Sequence, residues 1–429
     1  MLVIWKTVLL GLLAIRGAVA ASALAAMPDC AVDCLTTALA NSPCAATNTT
    51  CMCTDEDLQL DMTACVAKSC TVKESLATKN LTMTNCDAPI RDRSGEYVVI
   101  SNVLAVVSAL CVIQRFACKV YWKIGLGLDD WFILITFVVS TPSLVINVRG
   151  AAANGLGRDI WTVPFDQITK FGMYFNIMAV LYFAQIPLLK LALLFFYLRI
   201  FPTPIVRKLL WGTVVFNSVF GIVFVLVAIF QCQPISYFWT KWDGEHEGHC
   251  ASINAITCSN AGISIAVDIW MLAVPLAQLK GLNLDWKKKI GVALMFCVGT
   301  FVTVVSILRL QAVVRFRESS NATWDNFDVS KWSTIEISVG IICACMPTIR
   351  LLLVRLFPRI LGTNGAKSKS RPLGTNATSQ AGESHQRTES RGITCSRTYA
   401  VEFGENDETR LVHMKDLDRR SSRSNLSNM

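Results

Sequence analysis

Residues 30–53 read CAVDCLTTALANSPCAATNTTCMC, and Cys65, Cys70 and Cys86 complete a set of eight cysteines. Seven long apolar runs follow. An even cysteine set in so short a segment predicts a disulfide framework, because such a segment buries too little apolar surface to hold a fold unaided. Each bridge adds roughly 2–4 kcal/mol. Eight cysteines allow about a hundred pairings, so their spacing leaves the connectivity open. The competing reading is a zinc site. Cys51-Met52-Cys53 lacks the spacing of a zinc finger, and an exported segment disfavours free thiolates.

Export is expected from the start of the chain. Lys6 supplies a positive flank, Thr7 to Ile15 an apolar stretch, and Ala18-Val19-Ala20 a small-x-small cleavage site. Cleavage after Ala20 leaves an extracellular module at 21–93. The chain has 429 residues and is 53% hydrophobic, too apolar for an ordinary soluble protein. Its net charge of +9 does not point to nucleic acid, because many of the Lys and Arg residues sit between apolar runs.

Seven spans are expected in a membrane domain at 97–357: Tyr97–Gln114, Trp131–Val148, Phe171–Leu198, Leu209–Phe230, Ala255–Leu279, Ile290–Leu308 and Trp332–Leu353. Each is near the roughly 20 residues that cross a bilayer as a helix. Helices alone satisfy their backbone in lipid. Arg115, Lys119 and Lys123 form one expected basic loop, Arg199, Arg207 and Lys208 a second, and Lys280 with Lys287-Lys288-Lys289 a third. All three fall on the cytoplasmic side if the N-terminus is outside, as the positive-inside rule requires. The sequons at Asn48, Asn80 and Asn321 and the pair Cys232–Cys250 then lie outside. Arg149, Arg158, Arg315 and Arg317 break the charge rule.

Two resemblances add to this reading. Pro28-Asp29-Cys30-Ala31, Cys34, Cys44, Thr47-Asn48, Cys51-x-Cys53, Cys65, Cys70 and Cys86 resemble the CFEM domain of fungal extracellular membrane proteins. That resemblance implies a small helical fold with the pairs Cys30–Cys70, Cys34–Cys65, Cys44–Cys51 and Cys53–Cys86. Cys30 and Cys34 would share a helix face, ready to staple a second helix. Some members bind haem through an aspartate, and the matching position here is Asn48. A neutral carboxamide is a poor ferric ligand, and a glycan on Asn48 would block the same face. No cofactor is therefore expected, with haem as the alternative.

The membrane part resembles the fungal rhodopsin-like integral membrane domain through Leu128-Asp129-Asp130-Trp131, Lys190-Leu191-Ala192, Tyr197-Leu198-Arg199, Gln231-Cys232-x-Pro234, Asp268, Pro275 and Trp332…Glu336…Pro347. Together the two parts resemble the pathogenicity-type, G-protein-coupled-receptor-like proteins of filamentous fungi. The resemblance implies a plasma-membrane receptor for an external or host-surface cue, a role in infection, and a heterotrimeric G protein as partner beside lipid and an unknown ligand. The alternatives are a haem or iron capture protein and an infection effector.

Ionisable groups within spans are functional candidates, and Lys190, Asp268, Arg309 and Glu336 qualify. They also suit a bundle-holding role. No lysine stands in Trp332–Leu353, which excludes a retinal Schiff base there. The loop containing Glu245, His246, His249 and Cys250 reads as solvated rather than metal-binding. No catalytic set stands out, so no enzyme is expected. Residues 358–429 are rich in Ser, Thr, Asn and Arg and read as a disordered cytoplasmic tail, with Arg419–Ser424 a candidate phosphorylation patch. The expected fold is all-α: a stapled helical module, a seven-helix transmembrane bundle and the tail.

Overall fold

The computed structural model describes residues 26–279, 286–315 and 320–356, with backbone alone at 278–279, 286–298 and 315. The expected signal segment, Lys280, Arg317 and the tail at 358–429 lie outside the described residues.

Four helices build the cysteine module: α1 Asp29–Asn41, α2 Thr49–Thr54, α3 Glu56–Ser69 and α4 Val72–Asn85. Cys30–Cys70 and Cys34–Cys65 staple α1 to α3 with Cα atoms 5.6 and 5.7 Å apart. Cys44–Cys51 closes the turn before α2, and Cys53–Cys86 joins the end of α2 to the end of α4. The core is small: Ala31, Cys34 and Val66 form one cluster, and Ala38, Cys44 and Leu58 another. Side-chain caps finish the helices. Asn48 accepts from the Cys51 amide, Asp55 from the Leu58 amide, and Thr71 with Glu74 makes a capping box.

Seven long helices follow: α5 Ser94–Tyr121, α6 Leu128–Val145, α7 Phe165–Ile200, α8 Pro204–Ile229, α10 Ile253–Leu279, α11 Trp286–Arg315 and α12 Ala322–Leu356. A short α9, Tyr237–Thr240, lies in the loop after α8. Among the described residues six of the seven are long and apolar enough to cross a membrane. The remaining one is α11, whose side chains are described only from Gly299 onward.

The bundle is apolar outside, and inside it buried polar residues stand among apolar core clusters. On α5, Val99, Val103, Val106, Leu110 and Ile113 are exposed at helical spacing, while Ser101, Ser108 and Arg115 are buried. On α8, Val215, Val219, Ile222 and Leu226 are exposed and Asn217 is fully buried. That inversion suits lipid, where apolar side chains face the solvent and polar ones turn inward. The central helix is α7, which packs against α6, α8 and α12. Its contact with α8 is close: a Cβ on Gly221 would sit 2.7 Å from Pro187 Cβ.

The helices outrun the expected spans. Arg115 and Lys119 do not form a basic loop: α5 continues through both to Tyr121, and both are buried. Asp129 and Asp130 on α6 neutralise them, which removes the need for water at that point. Arg149 likewise lies in a π-helical turn, Ile146–Ala152, that extends α6.

The module sits on one end of the bundle. Lys73 Nζ donates to Glu245 Oε2 at 2.6 Å, and Lys79 lies over Trp161. Leu76 packs into a cluster with Ile160, Trp161 and Trp242. The loop before α7 turns through Gly157, whose φ of +84° favours glycine. Its amide donates to the Thr323 carbonyl at 2.9 Å, and a Cβ there would sit 3.1 Å from the Ser94 amide nitrogen. β1 Cys232–Gln233 pairs antiparallel with β2 His249–Cys250, beside the Cys232–Cys250 bridge.

Candidate ligand-binding site

A cavity of about 530 Å³ lies inside the bundle. Its walls come from α5, α6, α7, α10, α11 and α12, and Phe238 of the disulfide-closed loop reaches it. Phe137, Phe175, Phe183 and Ile341 make much of the wall apolar. The volume is that of an ordinary small-molecule site.

The π-helical turn after Pro142 shapes one side. A wider turn inserts a residue and re-aims those that follow. It carries Asn147, buried, with Nδ2 at 3.5 Å from Thr334 Oγ1. Thr334 Oγ1 also meets the Tyr97 hydroxyl at 3.2 Å.

Below this level a polar network crosses the bundle. Arg309 donates from Nη1 to the Tyr182 hydroxyl at 2.7 Å and from Nε to Ser333 Oγ at 2.9 Å. Its guanidinium stacks 3.8 Å from the Tyr182 ring centroid. Tyr182 in turn donates to Glu336 Oε2 at 2.7 Å, and Ser306 donates to Glu336 Oε1. Arg309 and Glu336 are thus joined through one tyrosine hydroxyl. Lys190 and Asp268 meet directly at 2.8 Å, and Lys190 also donates to the Ser264 carbonyl and hydroxyl. The four ionisable residues singled out in the spans therefore fall into one direct pair and one relayed pair. Among the described residues, two cations here face two anions.

Reading by residue type missed the neutral members. Tyr182, Ser264, Ser306 and Ser333 are polar residues in apolar runs, which gives no sign of partnership. It also missed a second cluster at the far end of the bundle. Arg115 donates from Nε to Asp130 Oδ1 at 2.7 Å, from Nη1 to the Ala344 carbonyl at 2.7 Å, and pairs with Asp129. Lys119 reaches Asp130 Oδ2 at 2.6 Å. Here a signal existed: two basic residues on α5 precede the adjacent acids of Leu128-Asp129-Asp130-Trp131. Beside this cluster a groove holds the half-exposed Arg199, with Arg207, Leu198 and Trp211.

The remaining candidates lie elsewhere. Asn48 is exposed, with its carboxamide oxygen occupied as the α2 cap at 3.1 Å. Asn80 is exposed on α4. Asn321 Nδ2, the atom a glycan would occupy, donates to Asp159 Oδ1 at 2.8 Å, and Thr323 of the same sequon is fully buried. His246 faces Asp243 at 3.1 Å. Cys30, Cys70 and Glu74 converge, but both sulfurs are in one disulfide and Glu74 serves the Thr71 cap.

Residues 114–355 match the family model described as the fungal rhodopsin domain, and residues 23–87 match the CFEM domain. Among curated proteins the chain is 28% identical over 254 residues to a SAT4 family membrane protein of Emericella nidulans, covering 58% of this chain and 62% of that protein. It is 22% identical over 291 residues to Receptor GIN3 of Arthrobotrys oligospora, covering 66% and 70%. It is 23% identical over 278 residues to Fugralins biosynthesis cluster protein 2 of Gibberella zeae, covering 63% and 68%. No solved structure matches the chain.

Proposed function

This chain belongs to the fungal rhodopsin domain family, and from that premise we propose that it is a plasma-membrane receptor. The CFEM module stands outside the cell, and the bundle passes ligand occupancy to a cytoplasmic partner. The observation that carries the reading is the cavity bordered by Tyr182, Arg309 and Ser333, whose hydrogen bonds tie α7, α11 and α12 together. A ligand that touches those groups binds one arrangement of the three helices better than another, and that difference in affinity is what shifts a two-state equilibrium. At the far end Arg199, Arg207 and Lys208 supply the positive charge of a cytoplasmic face. The partner is a heterotrimeric G protein, the cue a host or surface signal, and the process served is infection. The name of one relative, Receptor GIN3, supports a receptor role. The polar network holds ion pairs and hydroxyl relays rather than a nucleophile with its base, and the reading assigns no catalysis to the chain.

The test compares wild-type cells with a deletion strain. Capture of a G-protein α subunit by the tagged protein is expected, with a cAMP response to surface contact that the deletion abolishes. Absence of capture together with an unchanged response refutes the proposal.

A further inference from the structure

We propose that the groove beside Arg199 and Arg207 holds a membrane phospholipid whose headgroup carries a phosphomonoester, with its acyl chains lying along α6 and α8. The proposal goes beyond the receptor reading and takes from it only the leaflet, the cytoplasmic one. Binding at the groove does not depend on that reading.

The groove has a volume of about 400 Å³ and lies where three helix ends meet. Leu128 comes from the start of α6, Phe195 and Arg199 from the last turns of α7, and Arg207 and Trp211 from the first turns of α8. Packed rings brace its apolar side. Phe132 stacks on Phe195 with centroids 5.1 Å apart, and Phe195 meets Trp211 edge-on at 6.0 Å. A tryptophan near a helix end suits the boundary between headgroups and hydrocarbon.

Charge selects the headgroup. The wall contains one acid, Asp129, and that acid is already committed: it pairs with Arg115 and lies 3.7 Å from Lys119. Its neighbour Asp130 holds the same two cations. Those two buried cations and two carboxylates balance. Arg199 stands 3.8 Å from Asp129 with half of its side chain exposed. Arg207 is exposed and makes no ion pair among the described residues. Both groove arginines are thus left over. A phosphomonoester brings about −1.5 to −2 charges at pH 7 and three acceptor oxygens. A guanidinium fork meets phosphate oxygens two at a time. A choline headgroup carries its own cation and gains less from the pair.

The outer surface selects a lipid over a free phosphate. Leu128 and Trp211 line the groove and are also exposed, by 57% and 49%. Each begins an exposed apolar strip at helical spacing. Trp131, Ile135 and Val138 continue it on α6, and Val215, Val219 and Ile222 on α8. Both strips lead away from the groove along the bundle. A soluble phosphate meets the arginines alone, whereas a lipid also lays its chains on the strips. Basic pockets between membrane helices on the cytoplasmic side take phosphate headgroups in this way.

The full chain in neutral detergent is titrated with phosphatidylinositol 4-phosphate, and native mass spectrometry counts the lipids bound. Phosphatidylcholine and phosphatidylserine with the same chains are the comparators. Glycerophosphoinositol 4-phosphate, the headgroup without acyl chains, is the competitor. Saturable binding of one phosphatidylinositol 4-phosphate is expected, at least tenfold tighter than phosphatidylcholine and severalfold tighter than phosphatidylserine. Arg199→Gln and Arg207→Gln are each expected to raise Kd about fivefold, the worth of one basic group near an anionic lipid. Lys68→Gln, on the exposed face of α3, is expected to leave Kd unchanged and so controls for bulk charge. All three variants are compared at a melting temperature equal to wild type. Phosphatidylcholine or phosphatidylserine binding as tightly, arginine variants with the wild-type Kd, or displacement of the lipid by the chain-free headgroup overturns the proposal. Selective lipid binding by a chain that captures no G protein and leaves the cAMP response unchanged supports the groove assignment and refutes the receptor reading alone.

Discussion

Lys190 and Asp268 allow the charge balance of the bundle to be tested directly. Their side chains are 7% and 13% exposed and meet at 2.8 Å between α7 and α10. Asp268→Ala leaves the ammonium, among the described residues, with the Ser264 carbonyl and hydroxyl, at 2.6 and 2.9 Å. Removing one partner of a buried pair costs about 3–5 kcal/mol, because the remaining charge is uncompensated. At roughly 2–4 °C per kcal/mol for a domain of this size, melting falls by about 10 °C. The double replacement Lys190→Met with Asp268→Leu removes both charges and keeps similar volume. It is expected to melt within about 3 °C of wild type, since apolar replacements of buried pairs are often neutral or better. The assay is thermal unfolding of the purified full chain in nanodiscs at fixed lipid composition. An Asp268→Ala protein that melts with wild type, or a double variant as unstable as the single one, refutes the reasoning.

The module caps predict a pH dependence. The Ser42 hydroxyl holds Asp55 below its ordinary value of 3.8, and the Thr71 amide holds Glu74 below 4.5. Depressed folded-state values contribute stability that is fully present above the ordinary values and is lost as pH falls through the lowered ones. Hydrogen exchange of α3 and α4 in the full chain should therefore accelerate below about pH 4, and Asp55→Asn should flatten that dependence. At Gly157 a φ of +84° and a Cβ only 3.1 Å from the Ser94 nitrogen predict that alanine destabilises the α5 entry by more than about 1 kcal/mol, read as a lowered melting temperature. Asn48 Oδ1 caps α2, so Asn48→Ala should lower module stability by about 1 kcal/mol while Asn48→Asp retains it, measured by local exchange of Thr49–Thr54. Equal losses in both Asn48 variants would remove the capping explanation.

The sequence by itself determined what depends on neighbours along the chain. Runs of apolar residues long enough to cross lipid mark helices, because in that solvent each backbone must bond within its own segment. The order of eight cysteines marked a stapled module for the same local reason, a segment too small to hold a core. Charge, read locally, misled at Arg115 and Lys119, which looked like a wet loop until Asp129 and Asp130 were folded against them. Only the tertiary structure decided which charges meet. Lys190 finds Asp268 across 78 residues of chain, and Arg309 reaches Glu336 through a tyrosine on a third helix. The cavity belongs to this second class as well. Asn147, Gln185 and Ser330 stand far apart in the chain, and nothing in their identity says that they share a wall. Pairing across a bundle follows from helix crossing and rotation, which packing sets and local composition leaves free.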